Sequence, residues 1–165
     1  MGKGQPSHLR FFKNPDHSGA TDLEDKMTKD NRAIAQSFID AIPHSHALGM
    51  KIDFVGDGEA HMSMDYDERF IGDPATGVIH GGAVFALLDT CGGAAVISHP
   101  DHNGATVTID LRVDYMRPAS PGQRIRAVAT CYNRTRSVAF VRAVAMDDRE
   151  DKPVATAAGA FVTGG

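Results

Sequence analysis

The sequence predicts an α+β fold in which one curved antiparallel sheet wraps around a long helix, and three observations predict it. The run from Ala83 to Ile97 has the length of a four-turn helix and is apolar on every side except at Asp89, the pattern of a helix enclosed by other elements. Strand-like alternation flanks it: Ala60, Met62, Met64 and Tyr66 before, and Val107, Ile109, Leu111, Val113 and Tyr115 after, each interleaved with polar residues. Short polar turns separate the later strands, and an antiparallel sheet that is apolar on one face must cover that face with something. Residues 82–97 are the one segment long and apolar enough to do it.

Residues 1–28 are rich in Gly, Pro, Lys, Asp and Ser with little periodicity, and are expected to form a mobile or loosely docked N-terminal extension to a single domain over residues 29–165. Ala33, Ile34, Phe38 and Ile42 recur at helical spacing, which predicts a helix from Asp30 to Ile42, capped by Asp30 or Asn31 and ended by Pro43. Leu48 to Val55 and Glu59 to Asp67 are expected to be strands joined at Gly56-Asp57-Gly58, a hairpin signal. Gly72-Asp73-Pro74-Ala75-Thr76-Gly77 has the composition of a loop feeding the central helix, and Pro100 stops that helix. After the strand ending at Arg117-Pro118, further strands are expected at about 123–132, 137–146 and 153–162.

At 165 residues the chain suits one domain with a sizeable core, and its 42% hydrophobic and 23% charged residues are those of a globular protein. A formal charge of −4 with scattered basic residues leaves no footprint for nucleic acid. No apolar run reaches the ~20 residues of a membrane span, and Met1-Gly-Lys-Gly-Gln-Pro does not resemble a secretory signal, so a cytoplasmic protein without a membrane partner is expected. Two cysteines, Cys91 and Cys131, are too few for a disulfide scaffold or a zinc site and are expected to be core residues. The close histidine pairs, His44/His46 and His99/His102, come with no local carboxylate or cysteine set, so no metal is expected.

Chemistry concentrates where the central helix begins. The first N–H groups of a helix lack internal partners and sit at its positive end, so Gly81-Gly82 is a plausible cradle for an oxygen that gains negative charge. Asp89 follows Gly82 by seven residues, close to two turns, which projects it from roughly the same helix face; donor and carboxylate are expected to face one cavity. Cys91, two positions further, turns to another face.

His80-Gly81-Gly82 with Asp89 inside the following helix resembles the motif of the PaaI-like acyl-CoA thioesterases of the hotdog fold. The resemblance covers roughly residues 43 to 163 and includes the phrase from Thr108 to Ala119. It implies hydrolysis of acyl- or aryl-CoA thioesters to the free acid and CoA, with no cofactor. It also implies dimers with continuous sheets, usually paired again as dimers of dimers, and active sites at the dimer interface. Asp89, from the facing subunit, would then either attack the carbonyl or take a proton from an attacking water, with Gly81 and Gly82 at the oxyanion. Thr108 stands where relatives carry a hydroxyl that orients water near the acid. His80 is expected to shape the turn by hydrogen bonding. Relatives often place Asn or Gln shortly before His-Gly-Gly; here Asp73-Pro74 stands instead, and a second acid at Asp73 would repel Asp89 or share a proton with it. Forked guanidinium groups suit the phosphates of CoA, which makes Arg117, Arg134 and Arg136 the expected ligands.

Two rivals stay open on the sequence. An acyl-thioester dehydratase or hydratase needs a base beside the carbonyl, for which His80 is poorly placed. A non-catalytic acyl-CoA-binding module would leave the retained acid without a task, as would a purely structural oligomer.

Overall fold

Helix α1 (Lys29–Asp40) is the first element of the described chain, which in this computed structural model comprises residues 29–149 and 151–163. The extension expected over residues 1–28 lies outside the described residues. Helix α1 stops at Asp40, two residues short of the expected end at Ile42, and Pro43 opens a second helix, α2 (Pro43–Ala47), at the position where its missing N–H would have had no helical acceptor. Strands β1 (Met50–Gly56) and β2 (Glu59–Met64) form the expected hairpin. Its turn places Asp57 at φ 51° and Gly58 at φ 80°, the paired left-handed conformations that match the twist of a two-residue hairpin.

The segment read as a loop before the central helix is instead a small hairpin, β3 (Ile71–Asp73) with β4 (Val78–Ile79); strands this short leave no alternation to detect. Then come α3 (Gly81–Ile97) and four strands, β5 (Thr106–Tyr115), β6 (Ile125–Arg134), β7 (Val138–Met146) and β8 (Ala155–Thr163). They join β1 and β2 in one antiparallel sheet of order β1-β2-β6-β7-β8-β5, the predicted α+β arrangement.

The core lies between the sheet's concave face and α3. Val84, Leu87, Leu88, Cys91, Ala95 and Val96 of the helix are buried against it. Opposite them β6, β7 and β8 offer mostly alanine, including Ala127, Ala129, Ala143 and Ala157, and these small side chains let the helix lie close to the sheet.

Enclosure of α3 is incomplete, a correction to the sequence expectation. Phe85 and Ile97 are 39% and 42% exposed, with Asp89 and Gly93 half-buried between them at four-residue spacing. This row lies in the gap between the two edge strands, β1 and β5, because six strands do not close around the helix.

Strand β5 departs from strict alternation as well. Thr108 pairs with Phe161 and Asp110 with Ala160, so Ile109 is one residue extra, a β-bulge. Beyond it, Leu111 and Val113 lie on the core side, opposite Gly159 and Ala157. Before it, the faces exchange: Thr108 shares the inner face with buried Phe161, while Val107 and Ile109 are 64% and 55% exposed. Gly159 makes room for this, since a Cβ there would stand 2.8 Å from the Asp110 carbonyl oxygen.

Candidate active site

Helix α3 begins at a turn locked from several sides. His80 is its N-cap, and its Nδ1 accepts the Gly82 N–H at 2.9 Å. The Ala83 N–H goes to the His80 carbonyl at 3.0 Å. The Tyr115 hydroxyl, from the end of β5, donates to the Gly81 carbonyl at 2.7 Å, and partial burial pushes its pKa up from the ordinary value. The expected pair of glycine donors is thereby reduced: Gly82 is engaged with His80, and the Gly81 N–H has no acceptor among the described residues. Gly81 opens onto a hollow of about 350 Å³ lined by Val78, Val84, Tyr115 and Met116.

Asp89 lies elsewhere. It accepts a hydrogen bond of 2.8 Å from the Thr108 hydroxyl, the contact that the bulge at Ile109 makes possible. With Thr108 it lines a cleft of about 860 Å³ between α3, the β1 edge and the α1–α2 segment. Gly81 and Asp89 are eight residues apart on one helix, roughly 12 Å at 1.5 Å per residue, and they line different hollows. Within one chain, donor and acid do not face a common cavity, contrary to the sequence expectation.

The remaining expected site residues separate by what they bind. Asp73 caps its own hairpin: its carboxylate accepts from the Thr76 hydroxyl at 2.6 Å and the Ala75 N–H at 3.0 Å, and those two donors, Thr76 foremost, hold its pKa below the ordinary value. It forms no hydrogen bond with Asp89 among the described residues.

Arg117 has all five N–H donors occupied. Two go to Asp147 at 2.6 and 2.7 Å, two to the Lys152 carbonyl and one to the Pro118 carbonyl. Asp147 is fully buried and also accepts from the Ser120 and Arg149 N–H groups. Arg117 beside it is the main reason its carboxyl sits well below the usual carboxylate range. This guanidinium ties the β5 end to the β7–β8 turn and has no donor left for a phosphate, which corrects its expected role.

Arg134 ends β6 and Arg136 lies in the turn to β7; Arg136 is exposed, and the Arg134 Nε is buried without a partner among the described residues. Cys91 is buried, donates weakly to the Ala60 carbonyl, and has its thiol pKa pushed far up by burial, so it is a core residue and no nucleophile. No group of three or more His, Cys, Asp or Glu among the described residues is arranged to hold a metal.

Sequence reasoning missed Tyr115 as the partner of the glycine turn, because the residue is an ordinary aromatic in a strand pattern. It also missed Gln36, whose carboxamide accepts the Ile52 N–H at 2.8 Å and donates to the Met50 carbonyl at 3.0 Å, clamping α1 to the free edge of β1.

A curved antiparallel sheet around one long helix, opened by a glycine turn and carrying a lone acid, defines the hotdog architecture of thioesterases. The Thioesterase superfamily model matches residues 76–154. A Halobacterium salinarum protein provisionally named as an esterase is 35% identical over 134 residues, covering 79% of this chain and 89% of that one. The medium/long-chain acyl-CoA thioesterase YigI of Escherichia coli is 25% identical over 146 residues, covering 81% and 93%. Among solved structures, a variant of the phenylacetic acid degradation protein PaaI of Thermus thermophilus superposes with a TM-score of 0.65 at 30% identity, covering 73% of this chain and 98% of that one. The chain belongs to the hotdog thioesterase superfamily, in its PaaI-like branch, and is a thioester hydrolase. Among the described residues, no helix is long and apolar enough to cross a membrane.

Proposed function

We propose that this chain hydrolyses acyl-CoA or aryl-CoA thioesters to the free acid and CoA, at a site completed by a second copy. The observation that carries it is the Thr108-held Asp89 in one cleft, while Gly81, whose N–H has no acceptor among the described residues, lines another hollow of the same chain. An antiparallel pairing of two chains along the free edge of β5 brings each Gly81 toward the partner's acid and covers the exposed Val107 and Ile109. Such dimers would associate again into a tetramer, in the cytoplasm.

In this site the thioester oxygen takes the Gly81 N–H. As the carbonyl carbon becomes tetrahedral, charge gathers on that oxygen and the fixed donor stabilises it. Asp89 either adds to the carbon itself or removes a proton from a water that does so, with the Thr108 hydroxyl steering its carboxylate. The C–S bond then breaks and CoA leaves as thiolate, to be protonated from solvent. When water is the attacker the free acid leaves as the carbonyl re-forms; when the Asp89 carboxylate is the attacker, a second water hydrolyses the acyl–Asp89 anhydride, giving the free acid and restoring the carboxylate. The phosphates of CoA are assigned to Arg134 and Arg136, and Asp73 keeps the hairpin before the glycine turn in shape. The substrate named for YigI supports an acyl-CoA.

A dehydratase is disfavoured by one contact. The His80 Nδ1 is already the acceptor of the Gly82 N–H, and so is not a free base on that side of the ring. The deciding experiment follows thiol release from a panel of acyl- and aryl-CoA esters. Asp89→Asn is expected to lower kcat by about 10²–10⁴-fold while the oligomer persists in light scattering. Binding without cleavage by either protein would instead make this a sensing module.

A further inference from the structure

The floor of the Asp89 cleft contains a glycine that packing does not require. Gly92 and Gly93 follow one another in α3, where glycine weakens a helix relative to alanine. Gly92 has a reason to be there, since a Cβ would come within 2.9 Å of the buried Phe161 ring. Gly93 has none: the nearest atom to a Cβ there is 3.9 Å away, an ordinary contact. It stands one turn beyond Asp89, on the open row of the helix and in the lining of the cleft.

From Gly93 the void continues past Ala94 and Ile97 to Ile39, Ile42, Ile52 and Val55. Its far wall is α1, held by the two-point clamp of Gln36 on β1. A volume of about 860 Å³ is near the top of the range for small-molecule sites. A single aromatic ring would leave much of it as water against aliphatic side chains, whereas a flexible hydrocarbon displaces that water along its length.

We infer that this cleft takes the unbranched alkyl tail of the acyl group, that the missing side chain of Gly93 admits the tail past Asp89, and that Gln36, by positioning α1, sets the length accepted. The inference rests on the acyl-CoA hydrolysis proposed above. The Gly93 site and the wall behind it act on the tail, away from the reacting carbonyl.

The test compares butanoyl-, octanoyl-, dodecanoyl- and phenylacetyl-CoA with the full chain, Gly93→Leu and Gln36→Leu. For the unaltered protein kcat/KM is expected to rise roughly fourfold for each methylene that enters the cleft, and to exceed the phenylacetyl value at octanoyl. Gly93→Leu should lower the ratio of dodecanoyl to butanoyl kcat/KM by about tenfold or more, while improving helix propensity. Gln36→Leu should raise KM for dodecanoyl-CoA with little change in kcat, a split that general loss of stability does not produce.

A flat dependence on chain length, or an unchanged dodecanoyl to butanoyl ratio in Gly93→Leu, overturns the inference. So does dissociation of the Gly93→Leu oligomer in light scattering, which would make the glycine a contact between copies. If none of the four esters is cleaved, the hydrolysis reading is what fails. Calorimetric binding of dodecanoyl-CoA then still decides the cleft: weaker binding to Gly93→Leu upholds it, and equal binding removes it.

Discussion

Replacing Gly81 by proline removes little more than one backbone hydrogen, the proposed oxyanion donor. Gly81 is the first residue of α3, where proline is well accommodated and no intrahelical bond is lost. His80 already has φ −59° and ψ 133°, the conformation a following proline demands. The new Cβ would approach the Tyr115 ring at 3.3 Å, and that ring is half exposed and can yield by the few tenths of an ångström needed. Loss of one such donor lowers kcat by about 10²–10³-fold, or about 2.7–4 kcal/mol of transition-state stabilisation. KM and thermal midpoint should move little. The proposed two-copy site adds a sharper readout. Gly81→Pro and Asp89→Asn chains, each inactive alone, are co-expressed; half of the dimers are then mixed, each with one site intact, so about a quarter of all sites recover. Full activity in Gly81→Pro would show that this N–H does not serve the oxygen, and absence of recovery in the mixture would place donor and acid in one chain, against the roughly 12 Å that the helix puts between them.

The adjacent glycines of α3 should respond oppositely in thermal unfolding. Gly92→Ala drives a Cβ into the buried Phe161 ring and is expected to destabilise by about 1–3 kcal/mol, whereas Gly93→Ala gains up to about 1 kcal/mol of helix propensity. His80→Asn, which keeps an N-cap acceptor, should be more stable than His80→Ala by about 1 kcal/mol, read from urea midpoints. Because Arg117 depresses the folded pKa of Asp147, the stability this pair contributes is fully present above the ordinary aspartate value of 3.8 and is lost as pH falls toward the folded value. Denaturation midpoints measured from about pH 5 to pH 2 should therefore fall less steeply in Asp147→Asn, and a slope equal to that of the unaltered protein would refute the coupling.

Element type was legible wherever the periodic signal was long. The alternation of β2 and the apolar length of α3 read directly from residues, and so did the Gly56-Asp57-Gly58 hairpin, because left-handed turn positions restrict composition. The open side of α3 was not legible. A helix apolar on every side has no preferred direction, so only the strand count and the separation of β1 from β5 reveal that Phe85, Asp89, Gly93 and Ile97 face the gap. Arg117 illustrates a different limit. Its place at a strand end suited a phosphate ligand, but its partner Asp147 lies 30 residues away, and no local pattern marks a buried carboxylate that will claim its donors.

The bulge at Ile109 ties these observations together, and it too hides in sequence, since one extra residue leaves the alternation of Val107, Ile109, Leu111 and Val113 unbroken on paper. With regular pairing throughout, Leu111 and Val113 on the core side would bring Val107 and Ile109 in with them and turn Thr108 outward, away from Asp89. The inserted residue exchanges the faces partway along the strand. Leu111 and Val113 stay against the core, Thr108 reaches the acid at 2.8 Å, and Val107 and Ile109 become exposed on the outer strand of the sheet. The same backbone irregularity that aims the hydroxyl at the carboxylate also exposes apolar surface on the edge where, in the proposed dimer, a second chain would deliver its Gly81; under that proposal, positioning of the acid and completion of the site by a partner have one physical origin, accommodated by the bare Cα of Gly159 opposite.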